Sequence, residues 1–248
     1  MVNQNRAKGT GLTMENIMRL AQKSPLEDIR RLYAVFDSPV TRVDCGRKCA
    51  PFNMTGKPFC CDICQAVPAV YNEEWDYLKR NTDLWRFWIG DECPDSDDVL
   101  RLKDEILEGM ALLACKGPAL CQRDFRALSC RQFPFFPYVT ADYRFLGLAY
   151  EWEFEDRCWV ISNLHRVSKS YRSQFVAMHD ALFAQRQDIF ENYAYHSERM
   201  RNLYAERRRR IPLLHRNGDE YRVSPVSGRL ARAPSTRFPR FGPYRVEN

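Results

Sequence analysis

Several features that would indicate a function directly are missing from this sequence. No stretch approaches the roughly 18 uninterrupted apolar residues of a membrane span. No internal repeat is present, and no glycine-rich loop follows a predicted strand in the way that nucleotide cofactors require. The first 20 residues are polar and lack the apolar segment of a secretion signal. We therefore expect a cytoplasmic protein that makes no contact with a membrane.

Histidine is also scarce, with four residues in a chain of 248, whereas cysteine is abundant, with ten. His165, His179, His196 and His215 are scattered and are more typical of surface or helix positions than of metal ligands. Disulfides are rare in a reducing compartment, where clustered cysteines more often bind metal or take part in catalysis. Isolated cysteines can instead be small buried apolar residues, but adjacent pairs fit that explanation poorly.

Eight of the cysteines fall into two groups. The first group has the pattern Cys-x3-Cys-x10-Cys-Cys-x2-Cys within residues 45–64, and the second has the pattern Cys-x5-Cys-x8-Cys within residues 115–130. A CxxC step lets two thiolates reach one metal across a tight turn. The predicted metal ligands are Cys45, Cys49, Cys60, Cys61, Cys64, Cys115, Cys121 and Cys130. Cys93 and Cys158 stand alone and are predicted to be bystanders.

The spacing of the cysteines does not identify the metal. It is not the paired CxxC pattern of a zinc ribbon, and it is not the C-x2-C-x2-C run of bacterial ferredoxins. Zinc and iron both remain candidates, the latter including an iron–sulfur cluster. Because Cys60 and Cys61 are adjacent, one of them could serve a second metal or pack in the core.

The second group carries a resemblance to a known family. The stretch Cys121-x8-Cys130-Arg131-Gln132-Phe133-Pro134 resembles the closing signature of the YkgJ-like cysteine-cluster family, a zinc- or iron-chelating domain. Cys115 matches a further upstream cysteine of that family, and the Cys60-Cys61 pair is similar to its opening cluster. Two departures are the ten residues between Cys49 and Cys60, and Phe125-Arg126-Ala127 where the family often has tyrosine and Arg-Pro. The resemblance covers roughly residues 45–134.

A more distant resemblance to flagellin lysine N-methylases would imply an iron–sulfur enzyme that uses S-adenosylmethionine. The C-x3-C-x2-C triad of radical enzymes is absent, so whether the protein is an enzyme stays open. We expect Arg131 to lie beside the thiolates, offset their charge and donate hydrogen bonds to sulfur. The aromatic residues Phe133, Phe135 and Phe136 would exclude water from the site.

We predict an α+β fold that is mostly helical, with a small β-hairpin or sheet and irregular cysteine-rich loops around a metal site. Four parts are expected: N-terminal helices (1–40), a cysteine-cluster domain (41–165), a helical part (166–210), and a hairpin with a basic tail rich in proline and arginine (211–248). Helices are predicted over 14–22, 25–36, 73–79, about 97–113 and 170–209, the last as one helix or two. Strands are predicted over 138–140 and 144–153, and a hairpin is predicted around Asn217-Gly218.

Charge is concentrated in the C-terminal segment, where residues 207–248 hold eleven arginines and three acidic residues. This basic tail could contact a protein partner or, through phosphates, a nucleic acid. A solvated tail or a protein contact is the simpler interpretation. The alternating Glu151, Glu153 and Glu155 are predicted to share one face of a strand, which favours a solvated edge over a cation site.

Overall fold

A computed structural model of the protein describes residues 29–93, 106 and 108–245. Its helices and strands are interspersed along the chain, and both sheets are antiparallel. The α-helices are α1 (Ile29–Val35), α2 (Gly46–Cys49), α3 (Asn72–Asn81), α4 (Leu128–Gln132), α5 (Lys169–Gln185) and α6 (Gln187–Glu206). The strands are β1 (Ala69–Tyr71), β2 (Trp85–Phe87), β3 (Met110–Cys115), β4 (Phe135–Val139), β5 (Phe145–Tyr150), β6 (Ile211–His215), β7 (Glu220–Val223) and β8 (Leu230–Arg232).

The prediction of a mostly helical chain with one small hairpin or sheet is wrong. The strands form a three-stranded sheet in the order β1-β3-β2 and a five-stranded sheet in the order β4-β5-β6-β7-β8. The additional strands come mainly from the C-terminal segment, for which a hairpin followed by a tail is predicted. Strands β6 and β7 do form the hairpin, but β6 also pairs with β5, and β8 extends the sheet. The metal site that this prediction placed between the loops is likewise not part of the observed fold.

The segment 110–115 is a second correction, because the helix predicted over 97–113 was expected to end within it. This segment forms β3, which pairs with β1 over Met110–Leu112 and with β2 over Leu113–Cys115. Helix-like spacing of apolar residues is ambiguous in so short a run, and pairing on both sides decides for a strand. The predicted helix over 14–22 and the start of the helix over 97–113 lie outside the described residues.

The acidic face predicted for 151–155 is also wrong, because β5 ends at Tyr150 and a short 3-10 helix covers Trp152–Phe154. Glu155 instead accepts hydrogen bonds from Tyr204 Oη (2.6 Å) and from both terminal nitrogens of Arg209 (2.7 and 2.8 Å). One arginine of the basic tail is thereby committed to a contact within the protein.

The main apolar core lies where α1 and α5 meet both sheets. Phe36 packs against Phe175 of α5 with ring centroids 5.9 Å apart. Helix α6 packs on the five-stranded sheet, where Ser197 Oγ accepts a hydrogen bond from Val139 N of β4 at 3.0 Å. Close packing of β5 against β6 requires glycine at position 147, because a Cβ there would clash with the carbonyl oxygen of Leu214. The cysteine-rich segments run over one side of this core, at residues 41–68 and 115–134.

Among the described residues, no helix is long and apolar enough to cross a membrane.

His179 makes the stability of this core depend on pH. Its ring is completely buried among Phe145, Phe175, Phe183 and Tyr193, and Nδ1 lies 2.9 Å from the carbonyl oxygen of Phe175. Burial lowers the pKa of His179 to about 3. In the unfolded chain this imidazole is protonated below about pH 6.5, whereas in the folded chain it stays neutral. The folded state therefore loses stability as the pH falls below about 6.5.

We expect His179→Leu to remove this dependence. The free energy of unfolding of the wild type, relative to the variant, should fall by about 1.4 kcal/mol per pH unit between about pH 6 and pH 4. Urea denaturation of both proteins at several pH values measures this difference and cancels the titration of other groups. A difference that stays constant with pH would contradict the prediction.

Candidate metal centre

The two cysteine segments meet at one cavity of about 930 Å³. Its wall is built from residues 37–68, 84–92, 115–134 and 158–160, so it joins the loop before β1, the β2 region, the loop after β3 and the segment after β5. The cysteines that line it are Cys45, Cys49, Cys60, Cys61, Cys64, Cys115, Cys121, Cys130 and Cys158. All eight predicted ligands are therefore on the wall, and Cys158, predicted to be a bystander, lies there too.

Local structure explains how each segment presents its thiols. Helix α2 ends at Cys49, whose Sγ donates to the carbonyl oxygen of Gly46 at 3.5 Å. A short 3-10 helix over Phe59–Cys61 puts Cys60 and Cys61 side by side, with their sulfurs 3.9 Å apart. On the second segment, Cys115 ends β3 and Cys130 lies in α4.

Cys61 interacts electrostatically with thiols of both segments. The Cys61 thiolate raises the pKa of Cys49, Cys115 and Cys130, which shows that these sulfurs lie within electrostatic reach of it, although burial is the larger cause for each. A hydrogen bond from Cys60 lowers the pKa of Cys61 to about 7, and that same contact raises the pKa of Cys60. Thiols from both segments thus lie around one cavity.

Cys64 departs from its predicted role. It forms a disulfide with Cys93, with Cα atoms 5.3 Å apart, so its sulfur is not a free thiolate in this state. Cys93, predicted to be a bystander, is its partner. The other seven predicted ligands are free cysteines.

Arg131 does not make the contact with sulfur that we predicted. Its guanidinium lies over the ring of Tyr33 at 4.2 Å. Its nitrogens donate to the backbone oxygens of Tyr33 (3.1 Å), Phe36 (2.6 Å), Asp124 (2.7 Å) and Arg126 (3.1 Å). Arg131 therefore ties the second cysteine segment to the end of α1.

Arg126 makes this contact with sulfur instead. Its Nε donates to Cys121 Sγ at 3.1 Å. Burial raises the pKa of Cys45 and Cys130, and the Arg126 charge partly opposes that rise. The same charge adds to the hydrogen bond from Cys60 in lowering the pKa of Cys61. The sequence carried a signal for this residue, because Arg126 occupies the stretch between the late cysteines where the resembled family often has an Arg-Pro pair. Adjacency to Cys130 favours Arg131 in the sequence, but adjacency does not determine which way a side chain points.

A buried carboxylate fixes the start of α4 and hence the position of Cys130. Glu74 of α3 is completely buried, and its Oε1 accepts hydrogen bonds from Leu128 N (2.6 Å) and Tyr33 Oη (2.7 Å). Burial raises the pKa of Glu74 to about 7. One carboxyl group thereby connects α1, α3 and α4 beneath the cavity.

The free thiols are donors that suit zinc or an iron–sulfur centre, which both prefer thiolate sulfur. Among residues 29–93, 106 and 108–245, however, no three histidine, cysteine, aspartate or glutamate side chains are arranged closely enough to hold a metal ion. The donor chemistry fits such a centre, and the observed spacing is that of thiols around an open cavity. Comparison of the chain with protein families, curated proteins and solved structures found no match.

The disulfide can be tested directly. Alkylation of the denatured, unreduced protein followed by mass spectrometry of its peptides should leave Cys64 and Cys93 unlabelled. The other eight of the ten cysteines should be labelled. Prior reduction should add label at these two positions alone, whereas label on both before reduction would rule out the bond.

Arg126 and Arg131 should respond differently to substitution. If the cavity binds a metal, Arg126→Met should weaken its retention about 10- to 100-fold, because groups that support metal ligands typically contribute this much. Arg131→Met should lower the melting temperature, because the variant leaves four backbone oxygens without their donor. Competition with a chelator and thermal denaturation separate the two effects. Equal metal affinity in wild type and Arg126→Met would contradict the first expectation.

Proposed function

We propose that the chain is a metal-binding protein that holds zinc or iron, the iron as an ion or as an iron–sulfur cluster, through cysteines from two segments. The observation that supports the proposal is the convergence of seven free thiols, from residues 45–61 and 115–130, on one cavity wall. The resemblance of residues 45–134 to the YkgJ-like family points in the same direction. We place this function in the cytoplasm, where the seven free thiols would persist and where the Cys64–Cys93 disulfide would be open to reduction.

Cys49, Cys61, Cys115 and Cys130 are the favoured ligands. They come from both segments, and Cys61 is electrostatically coupled to each of the other three. Four thiolates are the usual complement of a structural zinc site and of an iron–sulfur cluster. When bound, zinc would join the two segments as a crosslink, and a cluster would supply one-electron transfer.

The remaining residues would support this centre. Arg126 offsets the negative charge that thiolates carry, and its hydrogen bond to Cys121 Sγ orients that sulfur. Phe133 packs edge-on against Phe154 with centroids 4.8 Å apart, which keeps water from one side of the wall. Cys45, Cys60, Cys121 and Cys158 would be further donors if the centre holds more than one metal.

Metal analysis after anaerobic purification tests the proposal. We expect at least one equivalent of zinc, or of iron with the visible absorbance of an iron–sulfur cluster. Substitution of both Cys61 and Cys130 by serine should remove most of the metal, because one ligand is lost from each segment. Replacing both Cys64 and Cys93 by serine is the matched control, because it removes two cysteines that are joined in a disulfide and are not free thiols, and it should keep the wild-type content.

The outcomes are distinct. A colourless protein with zinc and a brown protein with iron both support the proposal and identify the metal. A content of zinc and iron that is well below one equivalent, from cells supplied with both metals, would contradict it. Equal metal loss in the control and in the variant that lacks Cys61 and Cys130 would show that the metal is bound elsewhere.

A further inference from the structure

The cavity wall carries positive charge that the thiols do not use. Residues 41–68 and 115–134 contain eight lysines and arginines and three aspartates, a net charge of +5 in a chain whose total is +6. Arg126 lies against Cys121, and Arg131 is held by backbone oxygens. Arg42, Lys57 and Arg123 line the same cavity, and all three side chains are exposed to it or to solvent.

Two of the three carboxylates on these segments have partners of their own. Asp44 lies 3.8 Å from Arg47. Asp62 is buried and accepts hydrogen bonds from Asn53 and Thr55, although the charge of Lys57 contributes to its lowered pKa. Within the described part of the chain, no carboxylate forms an ion pair with Arg42, Lys57 or Arg123.

The backbone under each of these cations is held in place. Thr41, next to Arg42, pairs with Val167 and donates through Oγ1 to the carbonyl oxygen of Val43 at 2.6 Å. The carbonyl oxygen of Lys57 accepts from Asn53 Nδ2 at 2.9 Å. Arg123 begins a short 3-10 helix. Anchored cations lose less conformational freedom when an anion binds, and so favour binding.

The cavity has room for more than a metal ion. A zinc ion lies about 2.3 Å from its sulfur ligands, whereas about 930 Å³ is near the upper end of the range for sites of small organic molecules. Apolar side chains share the wall with the cations, among them Pro39, Val43, Phe59 and Trp159. Apolar lining with a few charged groups is the usual composition of such a site.

We propose that this cavity binds a small organic anion, whose phosphate or carboxylate group is held by Arg42, Lys57 and Arg123 and whose body packs on the apolar wall. Arginine and lysine form charge-assisted hydrogen bonds with both kinds of anion. The site shares its cavity with the proposed metal centre but uses different side chains. Its test is therefore independent of whether metal is bound.

Isothermal titration calorimetry of the full chain with phenyl phosphate, and separately with inorganic phosphate, tests the site. Both ligands should bind with one-to-one stoichiometry, and phenyl phosphate should bind several-fold more tightly because its ring packs on apolar side chains. The triple variant Arg42→Gln, Lys57→Gln, Arg123→Gln should bind phenyl phosphate at least about tenfold more weakly. The exposed positions of the three side chains make a folding defect easy to exclude by circular dichroism.

The matched control is Arg199→Gln, Arg229→Gln, Arg240→Gln, which removes the same charge from exposed positions outside the cavity. It should bind like the wild type. Equal weakening in both triple variants, or no saturable binding by the wild type, would overturn the proposal. Binding of inorganic phosphate with the same affinity as phenyl phosphate would contradict the proposal that the body of an organic ligand packs on the apolar wall.

Titration with a hexaglutamate peptide distinguishes an acidic polypeptide ligand from a small organic anion. Binding of the peptide that depends on Arg42, Lys57 and Arg123, without binding of phenyl phosphate, would assign the surface to an acidic polypeptide and overturn the small-molecule site. Metal content is measured on every sample. A wild type that binds phenyl phosphate but lacks metal would contradict the proposed function alone, and one that holds metal but binds neither anion would contradict this inference alone.

Discussion

The buried carboxyl group of Glu74 is the contact on which the arrangement of the cysteine segments depends. It lies in α3, yet it accepts hydrogen bonds from the first residue of α4 and from Tyr33 of α1. Arg131 completes this connection from the other side by donating to the carbonyl oxygens of Tyr33 and Phe36. A buried carboxyl group is costly unless it is hydrogen-bonded. The three helices are therefore held in one geometry, and Cys130 is held with them.

The same geometry gives the cavity its mixed electrostatics. Thiols whose pKa is raised by burial, such as Cys45 and Cys130, face a wall that also carries a net positive charge in its two segments. Arg126 is the residue that couples the two, since it contacts Cys121 and influences thiols of both segments. Deprotonated thiolates bound to a metal would be balanced by this charge. The cations farther along the wall would remain available to a second ligand, which is why one cavity can serve both proposals.

The five-stranded sheet explains why the C-terminal segment is not a free tail. Arg209 and Arg216 form ion pairs with Glu155 and Asp180 outside this segment, and Arg232 pairs with Asp219 inside it, so part of the basic excess is balanced within the fold. Tyr244, close to the end of the described chain, packs against Phe52 of the first cysteine segment with ring centroids 5.5 Å apart. The C-terminal segment therefore packs against the first cysteine segment.

Some of this organisation follows from the sequence alone. Helices in α1, α3, α5 and α6, the β6–β7 hairpin and the grouping of the cysteines were predictable, because helical periodicity, Asn-Gly turns and cysteine spacing are local signals. The strand identity of 110–115, the addition of β8 and the pairing of Cys64 with Cys93 depend on partners far along the chain. The same is true of the choice between Arg126 and Arg131, which neighbour the same cysteines in sequence. Sequence determined which chemical groups are present, and tertiary structure decided which of them face the cavity, because that depends on the direction of side chains on packed elements.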